Sequence, residues 1–195
     1  ACGGSSFLLL YTRGSEVYVR VGEVSATSVS FGAEVSCGYG AAAACLAACY
    51  DPVSAKAFIA YGASSATAPY VRALTISGAT PTLGTAAALP GFIAATSIAI
   101  SYDPVATRAV VAAATASYES NIWSLGVSGT TLTLGSSLGI DNASADPSAL
   151  ALVYDPANAR TCLLVMMPGP YLRASSYTLS GSSLVFGGQS SVTPS

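Results

Sequence analysis

Three aspartates are the residues in this sequence whose spacing first suggests shared chemistry. Asp51, Asp103 and Asp155 each stand in a Tyr-Asp-Pro step, at Tyr50-Asp51-Pro52, Tyr102-Asp103-Pro104 and Tyr154-Asp155-Pro156, with 52 residues between successive steps. Five residues after each acid comes a cation, Lys56, Arg108 or Arg160. Carboxylates could hold a metal or move protons. One acid per repeat, directly before a proline, is better explained as a hairpin turn in which Pro fixes φ and Asp accepts hydrogen bonds from the amides just ahead. The cation then pairs with its Asp or caps the strand edge, worth ~0–1 kcal/mol if exposed. All six are expected as structural turn residues.

A second recurrence is Tyr18-Val19-Arg20, Tyr70-Val71-Arg72 and Tyr171-Leu172-Arg173, with Asn121 and Trp123 in the corresponding places of the third unit. Residues two apart on a strand share a face. Each pair could therefore offer a ring for stacking on a sugar and a guanidinium for its hydroxyls, or could pack between sheets with a cation–π contact of ~0.5–1 kcal/mol. The ligand-binding candidates are Tyr18, Arg20, Tyr70, Arg72, Trp123, Tyr171 and Arg173. Trp123, the one tryptophan, is the best single sugar contact among them.

Little else could catalyse a reaction. The chain has no His, which excludes Ser-His and Cys-His nucleophile systems. A two-carboxylate glycosidase would need acids such as Glu16, Glu23, Glu34, Glu119, Asp141 and Asp146 to converge from different repeats. An enzyme is not expected. The five cysteines are an odd number. Cys45 and Cys49, four apart on one strand face and so ~13 Å from each other, are too far apart to bridge. Without a Cys-x-x-Cys pair, neither zinc nor any cofactor is expected. The thiols read as small buried residues, with a bridge from Cys37 or Cys2 as the alternative.

The elements that must position these residues follow from the repeat. Ile76-Ser77-Gly78, Val127-Ser128-Gly129 and Leu179-Ser180-Gly181 each lead into a Thr/Ser/Leu-rich run closed by Gly84, Gly135 or Gly187, and Val24 to Gly32 is a fourth copy. Short Val, Ile, Leu, Tyr and Thr runs punctuated by Gly, Pro, Asp and Ser read as strands. The third unit gives strands at Ser97–Tyr102, Ala109–Ala114, Asn121–Val127 and Thr130–Leu134. Four antiparallel strands per repeat of about 52 residues predict an all-β fold, a β-propeller with four blades of four strands. The units run approximately 1–37, 38–89, 90–141 and 142–195 in a single propeller domain or propeller segment.

The phase of the repeat predicts fifteen strands where four complete blades need sixteen, because the first unit begins at its second strand and lacks the inner one. Three explanations are open: more polypeptide, an inner strand borrowed from elsewhere, or an edge covered by a neighbour.

Bulk composition narrows the partners. Only 8% of residues are charged, the formal net charge is −2, and the 52% hydrophobic content is rich in Ala. Neither nucleic acid nor membrane insertion is expected. Basic residues are scattered, and the longest near-continuous apolar stretch, Ala41 to Tyr50, falls short of the ~20 residues of a spanning helix.

The Tyr-Asp-Pro step, the Lys or Arg leading a Val-rich strand, and Val-Ser-Gly-Thr-Thr-Leu-Thr-Leu-Gly at 127–135 together resemble the roughly 50-residue repeat of bacteriophage tail-fibre and other virion proteins and of large bacterial surface proteins. The resemblance covers nearly the whole chain, Ser6 to Val192. It implies a non-enzymatic structural and adhesion module in a tail fibre, spike or decoration, on a virion or at the cell surface. The expected partners are other subunits, copies of itself, or a glycan receptor. A secreted or cell-surface lectin-like propeller is the second reading, and a glycan-degrading enzyme the third.

Overall fold

The structure, a computed structural model, describes residues 5–38, 43–63, 68–91, 94–115, 120–140, 149–167 and 171–192. Every regular element among them is a β-strand, and the strands form four antiparallel sheets, each built from one repeat. Sheet I holds β1 (Ser6–Arg13), β2 (Glu16–Ser25) and an edge interrupted into β3 (Ser28–Phe31) and β4 (Val35–Ser36), both paired with β2. Sheet II runs β5 (Ala43–Asp51), β6 (Lys56–Ala63), β7 (Tyr70–Ser77) and a similarly broken edge, β8 (Thr80–Leu83) and β9 (Ala87–Ala88). Sheet III is β10 (Ala95–Asp103), β11 (Arg108–Thr115), β12 (Ser120–Ser128) and β13 (Thr131–Gly139). Sheet IV is β14 (Ala149–Asp155), β15 (Arg160–Met167), β16 (Tyr171–Ser180) and β17 (Ser183–Val192). With each interrupted edge counted once, sheet I has three strands and the others four. Among the described residues sheet I has no counterpart of β5, β10 or β14.

Two turns recur and fix the register. The Asp51 carboxylate accepts from the amides of Val53 (2.8 Å) and Ser54 (3.2 Å), and that of Asp103 from Val105 and Ala106, both at 2.9 Å. Asp155 accepts from the Ala157 amide and the Asn158 side chain. Each loop ends on a residue with left-handed backbone, Ala55, Thr107 or Ala159. The second turn joins the third and fourth strands through two residues, the first left-handed: Gly78, Gly129 and Gly181. A positive φ at that position is what the two-residue hairpin requires. Sheet I has Ala26 there, with φ 50°.

The fourth strands do not stop at the closing glycines as the sequence suggested. In sheet III pairing continues to Gly139 across a register shift between Trp123 and Leu125, and in sheet IV to Val192 across one at Ser176/Tyr177. In sheets I and II the edge breaks at the same place. The glycine marks an irregularity within the edge strand rather than its end.

The sheets stack in chain order with a core at each junction. Val17, Val19 and Cys37 of sheet I meet Ala57, Ile59, Tyr61 and Leu74 of sheet II. The opposite face of sheet II, with Phe58, Ala60, Val71 and Ala73, meets Ile100, Tyr102, Val111, Trp123 and Leu125 of sheet III. Val110, Ala112 and Ile122 on the far side of sheet III meet Leu163, Val165, Tyr177 and Leu184 of sheet IV. The first strands β5, β10 and β14 pack directly on one another. Their many alanines permit that approach, as bulkier side chains would hold the backbones apart.

Sheets II and III are thus buried on both faces, and β11 is buried from Ala109 to Thr115. Sheets I and IV each bury one face only. Along β15 the buried residues Thr161, Leu163, Val165 and Met167 alternate with Cys162, Leu164 and Met166, which face outward. Sheet I packs on sheet II and sheet IV on sheet III, and among the described residues the first and last sheets do not pack face to face. The stack of described residues is open at both ends.

Candidate functional site: the outer face of sheet I

Strand alternation sends Leu8, Leu10, Val17 and Val19 toward sheet II and leaves Phe7, Leu9, Tyr11, Tyr18 and Arg20 on the outer face. Tyr11 and Tyr18 are cross-strand partners with stacked rings, centroids 6.0 Å apart. The Arg13 guanidinium lies 4.4 Å above the Tyr18 ring and forms an ion pair with Glu34 at 2.7 Å, the one ion pair among the described residues. With the Arg13 side chain 63% exposed, that pair contributes little stability. Farther along, Arg20 lies 5.3 Å over the Phe31 ring, and Phe31 meets Phe7 edge to face. Leu9, Val24, Val29 and Phe31 remain exposed around them.

Hydrogen bonds order the charged end of this face. The Tyr11 hydroxyl donates to Glu34, which with nearby burial and the charge of that carboxylate pushes the phenol above its ordinary pKa. Tyr18 donates to Glu16 at 2.7 Å and Ser36 to the same oxygen at 3.0 Å, and both hold the Glu16 carboxyl below its ordinary value. That direction is opposite to what a general acid needs. Two of the scattered acids, Glu16 and Glu34, do therefore meet around one aromatic pair. Glu119, Asp141 and Asp146 lie outside the described residues. Among the described residues no three His, Cys, Asp or Glu side chains gather to hold a metal.

The other Tyr, Trp and Arg candidates face the same way on their own sheets, where the preceding sheet covers Arg72 and Trp123 but leaves Tyr171 largely open. Arg72 donates through Nε to the Tyr61 hydroxyl (2.8 Å), and its two terminal nitrogens reach the carbonyls of Gly84 (2.7 Å) and of Cys37 in sheet I (2.9 Å). Tyr70 lies beside Tyr61, centroids 6.3 Å apart. Trp123 is 1% exposed in the core between sheets II and III, so no face of its indole is open to a sugar. In sheet IV, Tyr171 and Arg173 stand opposite Met167 and Val165, residues buried against sheet III. Tyr171 itself is half exposed.

The turn residues also differ in detail from the expectation. Asp51, Asp103 and Asp155 stand opposite Lys56, Arg108 and Arg160 in register, but none of the three forms an ion pair, because the carboxylates are taken up by the turn. The Arg108 and Arg160 guanidinium groups lie instead over Gly126 and Gly187, where the missing side chain leaves room. Burial raises the pKa of Asp51, but hydrogen bonds from Ser54 and the turn amides, with the nearby Tyr102 hydroxyl, outweigh it and the net shift is downward. The Tyr102 hydroxyl is buried and short of full hydrogen-bond geometry, yet near enough to Asp51 to act on it. Tyr154 similarly feels Asp103, so the Tyr of one repeat sits by the Asp of the repeat before.

Cys37, Cys45, Cys49 and Cys162 are free, and Cys2 lies outside the described residues. Burial pushes the Cys37 and Cys45 thiols up to about 11.

The sequence reading missed Phe7, Tyr11, Arg13 and Phe31. Tyr11 had a usable signal: it lies across a hairpin from Tyr18 as Tyr61 does from Tyr70, but the intervening loops differ in length and hide the correspondence. No family model matches this chain, and no curated protein matches it either.

Proposed function

We propose that the chain is a non-enzymatic assembly and adhesion module, a propeller-type stack of blades serving in a virion fibre, spike or decoration or at a cell surface. The observation that carries this reading is the outer face of sheet I, an apolar and aromatic surface with two arginines at the open end of a rigid stack. Surfaces of this kind mark contacts with other macromolecules. The fan of first strands, packed closest to one another, supports radial blades, and the repeat supports a virion or surface setting by resemblance.

A lectin-like role is the second reading, favoured by the stacked Tyr11–Tyr18 pair under Arg13. A glycan array probed with the purified chain and with Tyr18→Ala separates the two. Glycan signals lost in the variant favour the lectin. Binding to isolated cell envelopes or to virion subunits, without glycan signal or turnover of polysaccharide, supports the assembly and adhesion reading. Polysaccharide cleavage lost on Glu16→Gln or Glu34→Gln would refute it.

A further inference from the structure

The outer faces of sheets I and IV are two halves of a junction that the chain already makes three times within itself. On the sheet I side, Tyr11–Tyr18 repeats Tyr61–Tyr70 of sheet II, where sheet I covers the pair and leaves Tyr61 1% exposed. Arg20 repeats Arg72: it donates to the carbonyl of Gly32 (3.0 Å) as Arg72 does to that of Gly84. Arg72 has a further bond to the main chain of the sheet stacked on it, through the Cys37 carbonyl. In the described structure no further sheet covers Arg20, which lies over the Phe31 ring of its own sheet.

The sheet IV side matches. Gly32, Gly84 and Gly135 lack a side chain because the hairpin tip of the next sheet, at Ala79, Thr130 or Ser182, rests its backbone there. Gly187 is the same glycine on sheet IV, and among the described residues no hairpin rests on it. The Ala26-Thr27 tip of sheet I is the same hairpin, and it rests on no glycine. Val153, Leu164, Met166 and Val185 make the outer face of sheet IV apolar, and Val153, Met166 and Val185 are about half exposed.

We propose that a second copy of this chain docks head to tail, the outer face of sheet IV of one copy on the outer face of sheet I of the next. The Ala26-Thr27 tip then rests on Gly187 of the partner copy, and Arg20 reaches a main-chain carbonyl at the end of its β17. The proposal rests on the assembly reading above and names the partner. Such a contact is heterologous, so repeating it closes a ring or extends a filament.

The test is sedimentation velocity of the full chain over a concentration series, with Leu9→Glu on one face and Val153→Glu on the other. Wild type is expected to form multiples of 19.3 kDa. Each variant alone is expected to stay monomeric, its self-association weakened at least about tenfold. An equimolar mixture of the two is expected to form dimers and nothing larger, because each variant retains the face the other lacks. Gly187→Ala provides a second, milder block, and far-UV circular dichroism checks that every variant folds. Wild type that remains monomeric to ~100 μM, oligomers indifferent to the variants, or a mixture that stays monomeric or grows past the dimer would each overturn the proposal. Monomeric wild type that still binds cell envelopes would sink the self-docking while leaving the adhesion reading intact.

Discussion

Replacing Gly84 with Ala tests whether the closing glycines exist to seat the next sheet. A methyl group built there stands 2.7 Å from Thr130 Cβ and closer still to the Thr130 carbonyl oxygen, and both belong to the sheet III hairpin. Backbone cannot swing aside as a side-chain tip can, so the sheets must separate locally by roughly 1 Å, losing dispersion contact along the junction. Overpacking of this kind costs ~1–3 kcal/mol. The entropy removed from the unfolded chain by Gly→Ala returns ~0.4–1 kcal/mol. The net loss, about 1–2 kcal/mol, corresponds to a Tm lower by about 2–8 °C in a chain of this size. Gly187→Ala is the control: its methyl comes closest to the end of the Arg160 side chain and to the Ser176 hydroxyl at 2.8 Å, groups that can rearrange, and its one backbone contact, the Ser176 carbonyl oxygen of its own sheet, is at 3.2 Å. It is expected to melt within about 2 °C of wild type. Thermal melts by far-UV circular dichroism, at concentrations dilute enough to keep the chain monomeric, measure both. If Gly84→Ala melts at or above wild type, or if Gly187→Ala falls equally far, the account of these glycines is wrong.

Ala26→Gly relieves the left-handed backbone at the one hairpin of this type without glycine, and is expected to stabilise the chain by about 1 kcal/mol in urea titrations. Trp123→Ala opens the core between sheets II and III and should cost ~3–5 kcal/mol, read as a lower urea midpoint. Asp103→Ala frees two turn amides and should cost ~1–3 kcal/mol by the same assay. Asp51 and Asp155 have pKa values held below the ordinary 3.8 in the folded chain, so the stability they contribute is complete above that pH and is lost as pH falls below it. The urea midpoint should therefore drop on acidification below pH ~4, and less so in Asp51→Asn/Asp155→Asn.

What could be read from the sequence was whatever each repeat settles within itself. Asp before Pro at a fixed interval specifies a turn because its hydrogen bonds are made to its own next few residues, as those of Asp51 to Val53 and Ser54 are. The same local reasoning failed for the cation five residues on. Register places Arg108 opposite Asp103, but the side chain has reach, and it takes the open space over Gly126 instead. Trp123 stood between sugar contact and packing in the sequence because composition cannot distinguish an aromatic residue that faces solvent from one that, as here, faces the preceding sheet.

The reason for the closing glycines was out of reach for a related cause. Gly84 is constrained by Thr130, a residue of the following repeat, and that constraint appears only when two sheets lie against each other. Repetition makes it interpretable afterward. A feature that serves a junction in sheets I, II and III retains its form in sheet IV, where none of the described residues of another sheet meets it. Gly187 is such a feature at one end of the stack, and at the other stands the Tyr11–Tyr18 pair, whose counterpart Tyr61–Tyr70 in sheet II is covered by sheet I. Neither is needed for a sheet's own hydrogen bonding, since β16 pairs with β17 on both sides of the glycine and β1 with β2 through any residues of strand geometry. Their presence at the two uncovered faces is accounted for if those faces meet each other, and the proposed head-to-tail contact between copies lets every sheet use the surface its repeat specifies.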